Sequence, residues 1–275
     1  MIKTHHWLLL LAVVFIPNSL LKAQQNPSSQ KVITGAVLLE DKNAPDAKKL
    51  VAALKSEWKI KADSVNISDK TLVFSTPGAT VMVAWLDYPA PAPEVRAAAK
   101  LAWLWPTAFE DAPKGQAQVV ISVIGTANRT LELYKIFSKT AGAVLEQTRS
   151  IGVYMSDQYL LLSKGFYIAA ARNLSDAEAL PVYCWVYFGM QQKGGLNGGY
   201  TYGLKEFGLT EMEIVDSNNN LQDVHSVLYD VAIFLLKWNQ SLKEGQTFEG
   251  VPDLKLSVSR SKGSYLEEET LKLGY

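Results

Sequence analysis

Short runs of β-branched and aromatic residues alternate with amphipathic helical segments along residues 31–275, and this alternation confines the chain to an α+β fold. Val32–Glu40 reads as a largely buried strand, and Asn43 or Asp46 then opens a helix to about Trp58 with Leu50, Val51, Leu54 and Trp58 on one face. Thr71–Ser75 and Ala79–Leu86 are strands joined by a Pro-Gly turn, Glu94–Trp105 is an Ala-rich helix, and Gln118–Gly125 is a further buried strand. That order, β-α-β-β-α-β, is the ferredoxin-like one.

The order then recurs. Thr130–Gln147 predicts a long helix, followed by a strand at Ile151–Ser156, a helix at Ser163–Arg172 and a strand at Pro181–Met190. Strands near Tyr200–Leu204 and Met212–Asp216 precede a helix Leu221–Trp238 capped by Asn220, and Leu254–Ser259 and an edge at Leu271–Tyr275 complete the pattern. The expected fold is α+β: two tandem ferredoxin-like β-α-β-β-α-β halves with mostly antiparallel sheets, residues 31–128 and 129–275, joined by the helix Thr130–Gln147. One compact unit is an equal expectation, because nothing between residues 31 and 275 has the composition of a flexible linker.

The amino end follows a different pattern. Lys3 precedes the unbroken apolar run Trp7–Ile16, and Leu21-Lys22-Ala23 leads into the polar stretch Gln24–Gln30. This is the pattern of a secretory signal peptide, residues 1–23, cleaved after Ala23. The apolar run is far short of the roughly 20 residues that span a bilayer, and no cysteine follows it to carry a lipid. The expected location is periplasmic or secreted, without a membrane anchor after cleavage.

Cleavage narrows the chemistry. His5 and His6 leave with the leader, so His225 is the one histidine beyond it, and Cys184 is the one cysteine in the chain. Disulfides within the chain, cysteine-based zinc or iron–sulfur sites and two-histidine metal sites are excluded. Cys184, in V-Y-C-W-V-Y, reads as an inward-facing strand residue. With 27 basic residues balancing 27 acidic ones, no basic field points to nucleic acid. No metal, cofactor or catalytic residue is assigned.

Three segments carry a resemblance: V-L-L-E-D-K-N-A-P-D from Val37, W-L-D-Y-P-A-P-A-P-E from Trp85, and T-Y-G-L-K-E-F-G-L-T-E-M-E-I over Thr201–Ile214. In this order they resemble the uncharacterised bacterial family called the domain of unknown function 4261 family, and the last segment opens its defining C-terminal region. The resemblance implies no activity, substrate or catalytic residues. It implies cytoplasmic relatives, from which an export signal is a departure.

The polar residues of Thr201–Ile214 are the candidate site. Glu211 and Glu213 stand two apart in a strand, so both carboxylates leave one face while Met212 and Ile214 enter the core. With Glu206 nearby they suit a hard cation or acid–base work on a glycosidic bond. Otherwise they are a solvated sheet face; in a binding module Gln at both positions leaves thermal stability nearly unchanged unless they line the interface. The glycine-rich stretch Lys193–Gly203 lacks a P-loop's Gly-Lys-Ser/Thr and reads as a hairpin connection, with Tyr200 and Tyr202 as contact aromatics. Asp223, His225 and Ser226 share one helix start and cannot alone form a relay. Trp103, Trp105, Trp185 and Trp238 read mostly as core. The expected function is a non-enzymatic, exported module that binds a protein or small ligand through a sheet face or its loops. The rival is a carboxylate- or cation-dependent hydrolase on Glu206, Glu211 and Glu213.

Overall fold

A computed structural model describes residues 30–175 and 179–275. The proposed leader, residues 1–23, lies outside them. The chain runs β1 (Gln30–Leu39), α1 (Ala47–Ser56), β2 (Asp63–Ile67), β3 (Thr71–Thr76), β4 (Ala79–Leu86), α2 (Ala92–Ala99), α3 (Ala108–Asp111), β5 (Ala117–Thr126) and α4 (Thr130–Gln147). It continues through β6 (Ser150–Met155), β7 (Leu160–Ser163), α5 (Lys164–Arg172), β8 (Tyr187–Lys193), β9 (Leu196–Tyr202) and β10 (Met212–Ser217). Helix α6 (Leu221–Trp238) and strands β11 (Thr247–Phe248), β12 (Leu256–Lys262) and β13 (Glu269–Gly274) complete it.

Local chemistry sets the helix ends. The Asp46 carboxylate accepts from the backbone N–H of Lys48 at 3.0 Å and of Lys49 at 3.1 Å, starting α1. The Asn220 side chain accepts from Asp223 N at 2.9 Å, starting α6. Asn239 closes α6 in the left-handed region, at φ +48°.

The fold is α+β with mostly antiparallel sheets, but not in ferredoxin-like halves. The first sheet has seven strands in the order β2-β3-β4-β5-β1-β6-β7. A ferredoxin-like half places its first strand between its third and fourth. Here β5 lies between β4 and β1, pairing antiparallel with both. Strand β6, expected to open the second half, extends the first sheet instead, with β7, which the sequence did not mark, beyond it; apolar residues cover both faces of β1 and leave its second edge open to Val153 and Tyr154. The second sheet has six strands in the order β11-β12-β13-β10-β9-β8. Strand β13, expected at an edge, is internal: it pairs parallel with β10 and antiparallel with β12.

Helix α4, expected to link two halves, is the centre of one core. Leu133, Phe137, Ala141 and Val144 belong to a buried cluster that takes in both sheets. On another side, Tyr134 packs on Phe207 with ring centroids 4.5 Å apart, and Ser138 accepts from the Trp185 indole at 2.8 Å. Gly142 permits a close approach: a Cβ there would lie 2.3 Å from the Trp58 ring. A smaller cluster built from α2, α3, Leu38, Tyr154 and Leu161 covers the opposite face of the first sheet.

Residues Val182–Cys184, expected within a strand, form a 3-10 turn closed by Trp185 N to Val182 O at 2.9 Å. Val182, Cys184, Trp185 and Val186 are all buried, so no polar face exists for a strand to present. Cys184 is a free thiol, and burial pushes its pKa up, the opposite of what a nucleophile needs.

Candidate functional site

The polar motif is a braced turn. Strand β9 ends at Tyr202, Gly203 turns the chain at φ +124°, and a 3-10 turn, Leu204–Phe207, leads towards β10. A side chain at Gly203 would meet the Trp185 carbonyl at 2.7 Å, so only glycine fits. Glu211 Oε1 accepts from Gly203 N at 2.7 Å and Lys205 N at 3.1 Å, while Oε2 accepts from the Thr201 hydroxyl at 2.7 Å. The same hydroxyl oxygen accepts from Met212 N at 2.9 Å.

Glu213 braces a second loop. Its Oε2 accepts from Ser264 N at 2.8 Å and pairs with Lys272 Nζ at 3.0 Å. Its Oε1 accepts from Tyr265 N at 3.1 Å and Leu266 N at 3.2 Å. Both carboxylates are buried, Glu211 at 2% exposure and Glu213 at 0%. Met212 and Ile214 do enter the core, but the Glu face is roofed by the 203–205 and 263–266 loops rather than solvated. Burial raises the Glu211 pKa despite its three donors. Burial also pushes Glu213 upward, but the Ser264 N–H, the Lys272 ammonium and the two further N–H groups outweigh it, and the net shift is downward.

The other expected site residues serve the same frame. Glu206 pairs with Lys31 of β1 at 2.7 Å, tying the turn to the first sheet. The Tyr200 ring packs on Tyr187 and Tyr265 with centroids 6.0 and 5.7 Å away. The Tyr202 ring meets Tyr159 at 5.5 Å, with Lys205 Nζ 4.6 Å from its centroid. Among the described residues no three His, Cys, Asp or Glu side chains are grouped to hold a metal ion, and no helix is long and apolar enough to cross a membrane.

An open site lies elsewhere, where the two sheets come edge to edge. Strand β7 terminates the first sheet and β8 terminates the second. Leu160–Leu162, Val186–Phe188 and the loop Leu101–Leu104 line a narrow cleft of about 20 Å³, and Tyr159 and Tyr183 complete the wall. Among the described residues no charged side chain lines it. Trp103 stands at the cleft 46% exposed, correcting its reading as core; Trp238 is exposed as well, while Trp105 and Trp185 are buried as expected. The Trp103 indole N–H donates to Phe188 O at 3.1 Å.

Behind Trp103 sits His225, on the first turns of α6. Its ring stacks on Tyr183 at 5.8 Å and 6°, and the edges of Trp103 and Phe188 approach it at 5.3 and 5.5 Å. Tyr183 Oη lies 3.3 Å from His225 Nε2. Burial lowers the imidazole pKa, and Asp230 opposes that shift. Sequence reading passed over Trp103, Tyr159, Tyr183 and Phe188 because isolated aromatics in apolar segments are the ordinary signature of core.

Fold and site thus define an α+β protein with two mainly antiparallel sheets around one core, an internally saturated acidic turn and an uncharged aromatic cleft. Residues 200–274 match the family model described as domain of unknown function DUF4261, so the second sheet from Tyr200 onward carries that domain. No curated protein and no solved structure matches the chain.

Proposed function

We propose that this chain is an exported, non-enzymatic binding module whose contact surface is the cleft beside Trp103. The exposure of Trp103 over an uncharged, apolar wall carries the reading, since large exposed aromatics at a concave surface favour contact with a partner. The carboxylates of the motif do not compete for the role. Glu211 and Glu213 accept from main-chain N–H groups that hold loops in place, an arrangement that braces structure rather than handling substrate protons.

Nile red, a neutral solvatochromic dye, tests the surface directly. The dye brightens and shifts to the blue on the intact chain, and Trp103→Ala weakens its binding at least fivefold, whereas Trp238→Ala does not. Equal effects of the two substitutions, or no dye binding, overturn the reading. Export is tested by mass spectrometry of the protein recovered from its cells: a mature chain beginning at Gln24 supports it, and an intact Met1 terminus on cytosolic material removes it.

A further inference from the structure

Strand β8 is an edge, and its first residues, Tyr187 and Phe188, line the cleft. In the β8–β9 ladder Phe188 stands opposite Thr201 and Gly189 opposite Tyr200. Antiparallel pairs alternate between bonded and non-bonded, and Phe188 O points away from β9 because it accepts from Trp103. The main-chain groups of Phe188, Met190 and Gln192 therefore share the open side. Among the described residues no other strand pairs there. The indole N–H of Trp103 thus sits where the N–H of a neighbouring strand would donate.

We propose that β8 and the Trp103 cleft receive an extended, uncharged peptide segment of a partner protein, which adds as a further strand beside β8 and displaces the Trp103 indole from Phe188 O. This rests on the reading of the cleft as a binding surface and names its occupant. Two kinds of complementarity select a peptide. The described lining holds no charge, so an ionic ligand would lose its hydration without a counter-charge, and an apolar side chain of the peptide meets Leu101, Trp103 and Tyr159, the exposed members of the lining. The outward row of donors and acceptors on β8, with Phe188 O held by Trp103, is matched by a main chain, which neither a lipid tail nor an aromatic small molecule supplies.

The test uses the full chain and a blocked, fluorescein-labelled peptide of alternating Val and Thr, followed by anisotropy. Two analogues carry N-methyl groups, one on every Val amide and the other on every Thr amide. Strand addition uses only alternate amides of the incoming chain, so one analogue binds at least tenfold more weakly and the other stays within about twofold of the parent. Three equal affinities, or equal losses in both analogues, overturn the proposal.

Two variants sharpen it. Trp103→Phe keeps the ring and deletes the competing donor, so the parent peptide binds about threefold or more tightly; unchanged or weaker binding overturns the displacement. Gln192→Pro removes an outward N–H at an exposed edge position and weakens the peptide several-fold with the melting temperature preserved. The dye separates the two levels of inference. Trp103-dependent dye binding without peptide binding leaves a cleft but rejects strand addition, and loss of both rejects the cleft itself.

Discussion

The acidic turn at Thr201–Glu213 and the cleft beside β8 are opposites. The turn is rich in groups that could do chemistry, and each of its two buried carboxylates is consumed by N–H donors and, for Glu213, by Lys272. The cleft offers almost none, yet it is where main-chain groups and a large indole remain open. Polarity in a sequence therefore marks where hydrogen bonds are needed, and inside a fold most of that need comes from the backbone itself. A buried loop must have its N–H groups satisfied, and two glutamates two residues apart serve one loop each.

That contrast is broken most severely at Glu213. Replacing it with Ala leaves Lys272, with a side chain only 17% exposed, without its counter-charge and with only Lys262 O and Thr270 Oγ1 as acceptors, beside three N–H groups that lose their partner. The expected loss is about 3 kcal/mol or more, read as a fall in the urea midpoint. A loss under roughly 1 kcal/mol would assign the residue to a solvated surface. Glu211→Gln costs less, about 1–2 kcal/mol at neutral pH, because the amide still presents one acceptor to Gly203 and Lys205. The Glu211→Gln result overturns the sequence-based expectation that Gln at that position is silent.

The two glutamates also part in their pH dependence. The folded-state pKa of Glu213 is lowered, so its contribution is present above the ordinary carboxylate range and is lost as pH falls through the depressed value. The pKa of Glu211 is raised, so its contribution is fullest below that range and declines as pH rises through the elevated value. The penalty of Glu213→Gln should accordingly grow from pH 3 to pH 7, while that of Glu211→Gln shrinks. Parallel slopes in urea titrations at the two pH values would show that one environment serves both residues.

Much of the frame was legible in local pattern and much of its assembly was not. Helices α4 and α6 fall where period and caps place them, because Asn220 and the apolar stripes act within a few residues. Strand order was not legible, since the choice between β1 and β5 as neighbour of β4 depends on contacts far apart in sequence. The exposed strand β2 escaped notice because no position in it is buried and so no alternation marks it. At the site, spacing placed Glu211 and Glu213 on one side of a strand but said nothing of the loops that roof them. Trp103 was illegible for the converse reason: its neighbours are apolar, and only the meeting of two sheet edges leaves it uncovered.

The smallest expected effect lies behind that tryptophan and concerns how the cleft responds to acid. His225 is held among Tyr183, Trp103, Phe188 and Tyr229, with Asp230 the charged group that reaches it. Burial lowers its pKa below the ordinary 6.5, so the folded state binds this proton less readily than the unfolded state. The stability it contributes is complete above about pH 6.5 and is lost as pH falls through the lowered value. Asp230 and the stacked faces of Tyr183 and Tyr229 favour an imidazolium, which offsets part of the burial penalty and keeps the slope shallow. His225→Phe retains the stacking on Tyr183 and removes the titration, so its melting temperature should fall less than that of the parent between pH 7 and pH 5. Identical falls would mean that the imidazole reaches water freely, and the aromatic wall behind Trp103 would then be as open as the cleft in front of it.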